Sequence, residues 1–453
     1  MNRRAAALAI ALSAAAPLAA RAQSAPAKLV QLAPPPAAAS GASGSIDPGA
    51  ATRAYLARQS SAEKARSDAY FEGGYWLDLW SFLWAAAVYV VLLHTGVSAK
   101  MRDLSERLTH IRPLQIGAYW VQFVVALAVM SLPLTVYRDY VREHRYGLSN
   151  LTFSAWLGEL GKGLALTAVL GGLAMMILYA VVRRLPRTWW LWGSVATVAF
   201  SALFALIVPI FIVPVFNNPQ RLTDQRVVAP ILSLARASGI QAHDVWEVDA
   251  SKQSKRISAN VSGLFGTERI TLNDNLLNRA SLPEIQAVMG HEMGHYVLNH
   301  IHKALLQFGI VIVAGFALLK TLFEKLRARV PRWQVRGIDD TAGLPLAALL
   351  FGAYLFLLTP VLNSLVRVQE YEADLYGLNA SAQPDGFAQV ALKLGEYRKL
   401  DPGPIEELLF FDHPSGRTRI YAAMQWKAEH PETWSIDRRV GSAAQQARTP
   451  PQQ

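Results

Sequence analysis

No cysteine occurs in these 453 residues, so the chain has no disulfide, no thiolate metal ligand and no cysteine nucleophile. Charge is also scarce. Asp, Glu, Lys and Arg together make up 17% of the residues, against about 25% in an ordinary soluble domain. Acidic residues are the scarcer sign, 33 against 44 Lys and Arg, which leaves a formal net charge of +11. That surplus does not indicate nucleic-acid binding. The basic residues sit in short clusters beside apolar runs, the arrangement of a membrane protein. The rest of the chain is largely apolar: 52% of the residues are hydrophobic, which fits a polytopic membrane protein.

The first 22 residues read as a signal peptide or N-terminal anchor. Arg3 and Arg4 precede a small apolar run, and Ala20-Arg21-Ala22 suits a cleavage site. Residues 23–75 read as an Ala/Pro/Ser-rich linker and juxtamembrane segment. Four spans then form a membrane domain over 76–216: Leu79–Val97, Ile116–Tyr137, Gly163–Val182 and Trp189–Phe216. Pro209 and Pro214 are expected to kink the fourth. Two further spans, at 304–323 and 344–365, lie inside a second domain covering 217–430. His94 and Gln122, within or near spans, are expected to serve helix–helix hydrogen bonds rather than to line a cavity. Residues 431–453 read as a disordered tail. The fold class is thus mainly α, a polytopic membrane helical bundle with a small α+β unit. The strands of that unit are expected at Asp244–Asp249, Arg256–Val261 and Glu268–Leu272, with a turn at Gly263–Gly266.

Within the second domain stands His291-Glu292-Met293-Gly294-His295. On a helix, residues i and i+4 share a face, so both imidazoles can reach one metal ion. Glu292 is then placed to act on a water at that metal. Pro283 suits the first turn of the helix this requires.

A hydrolytic zinc site wants a third protein ligand. Leu298 and Ile301 stand where the metzincin pattern needs Gly and His, which removes that class. His302 shares the metal face, but seven residues of straight helix rise ~10.5 Å, too far for one ion. His300 points elsewhere on a straight helix, and both read as interfacial polar residues. The better candidate is Arg367-Val368-Gln369-Glu370-Tyr371-Glu372-Ala373-Asp374. Glu370 and Asp374 share a helix face. Glu370 can ligate the metal while Asp374 reaches the ring N–H of a ligating His, and Arg367 can hold a carboxylate. The alternative for this segment is a solvated helix with an Arg/acid pair.

The order His-Glu-x-x-His, two spans, then Arg-x-x-Glu-Tyr-x-Ala-Asp resembles the integral-membrane zinc metallopeptidases comprising the type I CAAX prenyl proteases and the HtpX-like proteases. The resemblance runs from about Leu79 to Ile420. It includes Ser254–Val261 with Gly263, Ile270–Leu277, and His413-Pro414-Ser415 followed by Arg419-Ile420. Val366 departs from the Ser frequent before the Arg, and Val261 from the Ala common after Asn260. The resemblance implies a gluzincin-like centre: one Zn2+ per chain on His291, His295 and Glu370, with Glu292 as general base. It places Asp374 behind a ligating His, and His413 and Arg419 near the developing oxyanion. It also implies a helical barrel around an intramembrane chamber.

The substrate is expected to bind extended, adding to the strand at Ser258, Ala259, Asn260 and Val261. The expected partners are a polypeptide substrate and membrane lipid, with no nucleic acid and no obligatory protein partner. Three readings follow: a protease of membrane-associated or exported polypeptides, a CAAX-type protease of lipidated C-termini, or a catalytically silent scaffold. The N-terminal segment favours the first, and the intact Glu292 argues against the last. The location is expected to be a bacterial inner membrane. Twelve Lys and Arg flank the first, third and fifth loops, against Arg138, Arg142 and Arg145 at the second. By that count the catalytic domain faces the periplasm, whereas the resemblance implies the cytosol.

Overall fold

The computed structural model describes residues 46–263 and 268–431. The segment read as signal or anchor, most of the tail and most of the Gly263–Gly266 turn lie outside the described residues. Helix α1 spans Pro48–Leu56, inside the stretch read as linker. Asp47 caps it, Pro48 opens it, and Tyr55 is buried with its hydroxyl donating to Asp385 Oδ1 at 2.8 Å. The Ala/Pro composition concealed these local signals.

The membrane helices are long. Helix α2, Ser61–His94, starts at a capping box between Ser60 and Glu63. The expected span Leu79–Val97 therefore overshoots: Gly96 at φ 69 turns the chain into α3, Val97–Leu108. Helices α4 (Arg112–Arg145), α5 (Phe153–Arg184) and α6 (Trp189–Phe216) follow. Each contains one widened turn; in α6 it covers Val208–Ile212 around Pro209, where proline supplies no N–H. In α5 it covers Thr167–Gly171, where the Trp120 indole donates to Thr167 O at 3.0 Å. Gln122 donates to Met101 O and Ser105 Oγ, and Trp333 donates to His94, so both polar residues tie helices together.

A four-stranded sheet follows, ordered β1-β2-β4-β3: β1 Gln220–Arg221, β2 Val245–Val248, β3 Ala259–Ser262 and β4 Arg269–Asn273. Helix α7, Gln225–Ala237, lies between β1 and β2. Helix α8, Asp274–Arg279, leads from β4 into α9, Leu282–Val297. Ile231, Ile270, Leu272, Met289 and Met293 form the fully buried centre of this unit. Strand β3 is at the edge, paired antiparallel with β4.

Helix α10, His300–Arg329, carries the chain away from the sheet. The expected sixth span at 344–365 is two helices: α11, Leu344–Leu357, and α12, Thr359–Ser381, bent by 57°. Pro360 lacks the N–H that would continue α11, which accounts for a break at this point. The pair still returns along α10. The ring of Phe323 lies against Gly343, Phe316 lies beside Phe351, and Tyr354 OH donates to Val311 O. Farther along, Gln369 donates to Gln307 and Lys303 to Glu372. Five helices are thus long and apolar enough to span, or six if the bent pair counts as one. Only 0–33% of the most apolar window of each of the five is buried. Most of this apolar surface is therefore left to face lipid. Helices α13 (Pro384–Leu394), α14 (Pro404–Phe410) and α15 (Gly416–Glu429) complete the domain.

Candidate active site

Helix α9 is built to present its residues accurately. Ser281 and Glu284 form a capping box, Pro283 fills the first turn, and the Ile285 and Met289 face is buried on the sheet. It crosses α12 at very short range. A Cβ on Gly377 would lie 2.7 Å from the His291 amide nitrogen, and one on Gly290 would lie 2.9 Å from Gly377 O. Glycine at both positions lets the two backbones approach, which brings Glu370 up to the histidines.

The donor atoms converge. His295 Nε2 is 3.1 Å from His291 Nε2, His291 Nε2 is 3.3 Å from Glu370 Oε2, and His295 Nε2 is 3.6 Å from Glu370 Oε1. Tetrahedral donors around zinc lie ~3.3 Å apart, given Zn–N bonds of ~2.0–2.1 Å. The set therefore fits such an ion. Among the described residues it is the group of His, Asp and Glu able to hold one.

The outer ring nitrogens tell the same story. His291 Nδ1 meets Asp374 Oδ1 at 2.8 Å. A carboxylate partner requires Nδ1–H, so the Nε2 lone pair faces inward. Asp374 is fully buried and is gripped from behind by the Arg419 guanidinium through both its oxygens. His295 Nδ1 meets His300 Nδ1 at 2.9 Å, and His300 Nε2 meets Glu372 Oε2 at 3.0 Å. Reading inward from the carboxylate assigns the proton on His295 to Nδ1 and leaves its Nε2 bare. Once His291 gives up its second proton, two bare nitrogens 3.1 Å apart offer their lone pairs to one cation. Burial lowers the His291 pKa, but hydrogen bonds to Asp374 and Glu370 outweigh it, and the imidazole is raised to about 9.

Glu292 is half-buried and makes no ion pair among the described residues. His413 is buried, its Nε2 3.2 Å from Glu370 Oε2 and its Nδ1 3.0 Å from Asp412 Oδ1. Burial, together with the Arg398 guanidinium, lowers its pKa to about 4. Just before β3, Ser258 O accepts from Asn273 N and Ser258 N donates to Asn273 Oδ1, so its backbone is spent on β4. Antiparallel alternation then turns Asn260 toward β4 as well, and leaves Ala259 and Val261 facing the open edge.

Three expectations change. Arg367 holds no carboxylate among the described residues. It donates to the Glu407 and Phe411 carbonyls and to Ser364, fixing the chain that leads to His413. Arg419, expected at the oxyanion, is engaged on Asp374. His300, expected only as a polar residue at a span's mouth, also contacts the site. The helix stops at Leu298, Asn299 adopts φ 56, and His300 is swung back, buried, onto His295. The straight-helix assumption hid this contact. His302 is exposed.

Comparison with known proteins agrees with this geometry. The model of peptidase family M48 matches residues 221–427, and that of the CAAX prenyl protease N-terminal region, five membrane helices, matches 52–218. An uncharacterized metalloprotease, YhfN of Bacillus subtilis, is 31% identical, over 74% of this chain and 79% of its own. CAAX prenyl protease 1 of Saccharomyces cerevisiae is 28% identical, over 65% and 68%. The crystal structure of S. mikatae Ste24p superposes with a TM-score of 0.68 at 22% identity, covering 80% of this chain and 89% of that one.

Proposed function

Given that the chain belongs to peptidase family M48, among the membrane metallopeptidases that include the CAAX prenyl proteases, we propose that it is a zinc endopeptidase cutting membrane-associated or exported polypeptides. The observation that carries this is the triangle of His291, His295 and Glu370 with Glu292 on the same helix. Zinc held there would supply a Lewis acid for the scissile carbonyl and acidify the attacking water.

The chain's own residues do the rest. Glu292 takes the water's proton and passes it to the departing amine. Asp374 and His300 keep both imidazoles in the tautomer that offers Nε2. Arg419 holds Asp374, and Arg367 holds the segment before His413. His413, beside Glu370, is our candidate donor for the oxyanion, a role that requires its proton on Nε2 rather than on the Nδ1 beside Asp412. The substrate lies extended on β3, paired through Ala259 and Val261. Ser258 and Asn260 stiffen that strand from the β4 side.

A second reading, cleavage of lipidated C-termini, draws support from the relatives named CAAX prenyl protease 1. We place the protein in a bacterial inner membrane with the catalytic domain facing the periplasm, on the loop charges. The test is metal analysis of the purified protein with cleavage of a membrane polypeptide and of a prenylated peptide, each with and without chelator. Zinc at one per chain and chelator-sensitive cleavage are expected. Cleavage indifferent to the chelator would refute the reading, and cleavage of the prenylated peptide alone would select the second.

A further inference from the structure

Resting on the peptidase reading, we propose that Arg398 is a specificity-determining residue that captures a substrate carboxylate on the C-terminal side of the scissile bond. Arg398 follows α13, in the turn before α14. Its Nη2 lies 3.5 Å from His413 Nε2, and that nitrogen lies 3.2 Å from Glu370 Oε2. The guanidinium therefore stands one side chain away from the metal ligands. It is half-buried, and none of the described carboxylates lies within ion-pair distance of it.

Its basic neighbours differ in this respect. Lys399 is paired with Glu72 and Glu406, Lys393 with Glu284, Arg256 with Glu143, Arg279 with Glu396 and Arg417 with Asp401. The acids around His413 are already committed. Glu370 faces the metal site, Asp412 holds the His413 ring, and Glu407 accepts from the Ser415 amide. A partly desolvated guanidinium next to a buried imidazole is costly unless an anion completes it. A planar fork of donors matches a carboxylate in particular.

The strand gives the direction. A peptide added antiparallel to β3, the better-bonded arrangement, runs from Ser262 toward Ala259. Its C-terminal side then meets the end of the strand preceded by Arg256. The Arg256 guanidinium sits 5.6 Å from the centre of the Tyr397 ring, and Tyr397 is the residue before Arg398. Arg256 itself is spent on Tyr70 and Glu143. Arg398, half-buried beside His413, is thus a cation among the described residues placed to read that end of the substrate, whereas Lys255 at the same end is exposed. Two sources could supply the carboxylate: the chain terminus of a short leaving segment, or an Asp or Glu side chain.

The experiment uses the full chain in detergent or nanodiscs with one cleavable peptide in three forms: free acid, C-terminal amide, and amide with Asp at successive positions after the cut. Wild type should favour one carboxylate form in kcat/KM by on the order of ten- to a hundredfold, the range of a charge-assisted pair. Arg398→Gln should erase that preference, bringing the carboxylate forms down to the neutral amide on top of any common change imposed on all peptides through His413, and Arg398→Glu should favour a peptide bearing Lys in its place. Metal content and thermal midpoint are checked for both. Binding of the same peptides to Glu292→Gln, read by fluorescence anisotropy, should show the same preference without turnover. Absence of carboxylate preference in wild type overturns the proposal, as does an equal loss for every peptide in Arg398→Gln. If no peptide is cut, the peptidase reading fails, and the anisotropy still decides on Arg398.

Discussion

Two relays meet at the metal centre, Arg419–Asp374–His291 on one side and Glu372–His300–His295 on the other, and single substitutions separate their parts. Glu292→Gln should retain metal and lose roughly 10²–10⁴-fold in turnover. Loss of metal in that variant would contradict its role as base. Glu370→Ala should strip the site. Asp374→Ala and His300→Ala should each weaken metal affinity by roughly 10–100-fold, measured by competition with a chromophoric chelator. Affinity unchanged in His300→Ala would reduce the second relay to packing. The pH dependence follows from His291, raised to about 9. In the stripped protein that shift stabilises the fold fully below the unfolded value of ~6.5, and the contribution is lost as pH rises through about 9. The metal must displace the same proton, so its binding strengthens over the same interval. The gap in thermal midpoint between loaded and chelator-treated protein should therefore widen with rising pH, and a constant gap would refute this. His291, Glu292 and His295 were legible in the sequence because i, i+4 is a local relation. Glu370 and Asp374 share a face by the same relation, but it was the family resemblance, not the spacing, that set them apart from a solvated helix. His300 was not, since its position depends on a left-handed Asn299 that the pattern of side chains does not announce. Arg367 was misread because its partners lie some forty residues on, in a loop placed by tertiary packing.

Helix against helix, the site depends on the approach of α9 to α12. Gly377→Ala puts a methyl 2.7 Å from the His291 amide and should force the helices apart. A stability loss of about 1–3 kcal/mol is expected, with weaker metal binding. Gly352→Ala, on the same broken span with open space around it, should be tolerated or mildly stabilising. Equal effects of the two would remove the close approach from the account. The spans themselves were readable from apolar length, but their ends and the break at Leu358 were less so. Hydropathy does not register where a backbone donor is missing, and both 344–357 and the start of α12 are apolar enough to merge into one run. The three expected strands lie within two or three residues of β2, β3 and β4, whereas which edge of β3 stays open emerges only from its pairing.

For the whole molecule, the untested question is which side of the membrane carries the site. A reporter fused after Gln453 should give alkaline phosphatase activity if the loop charges govern orientation, and cytoplasmic fluorescence would reverse the assignment. One consequence follows from the short joint at Leu298–Asn299. It connects the metal helix to a transmembrane helix whose first residue, His300, leans on a metal-binding imidazole. A transmembrane helix tilts to match its apolar length to the lipid around it. In this molecule that tilt has a lever arm ending at His295. The acyl-chain length of the surrounding lipid should therefore tune the hold on the metal, with an optimum thickness and a falling affinity on either side.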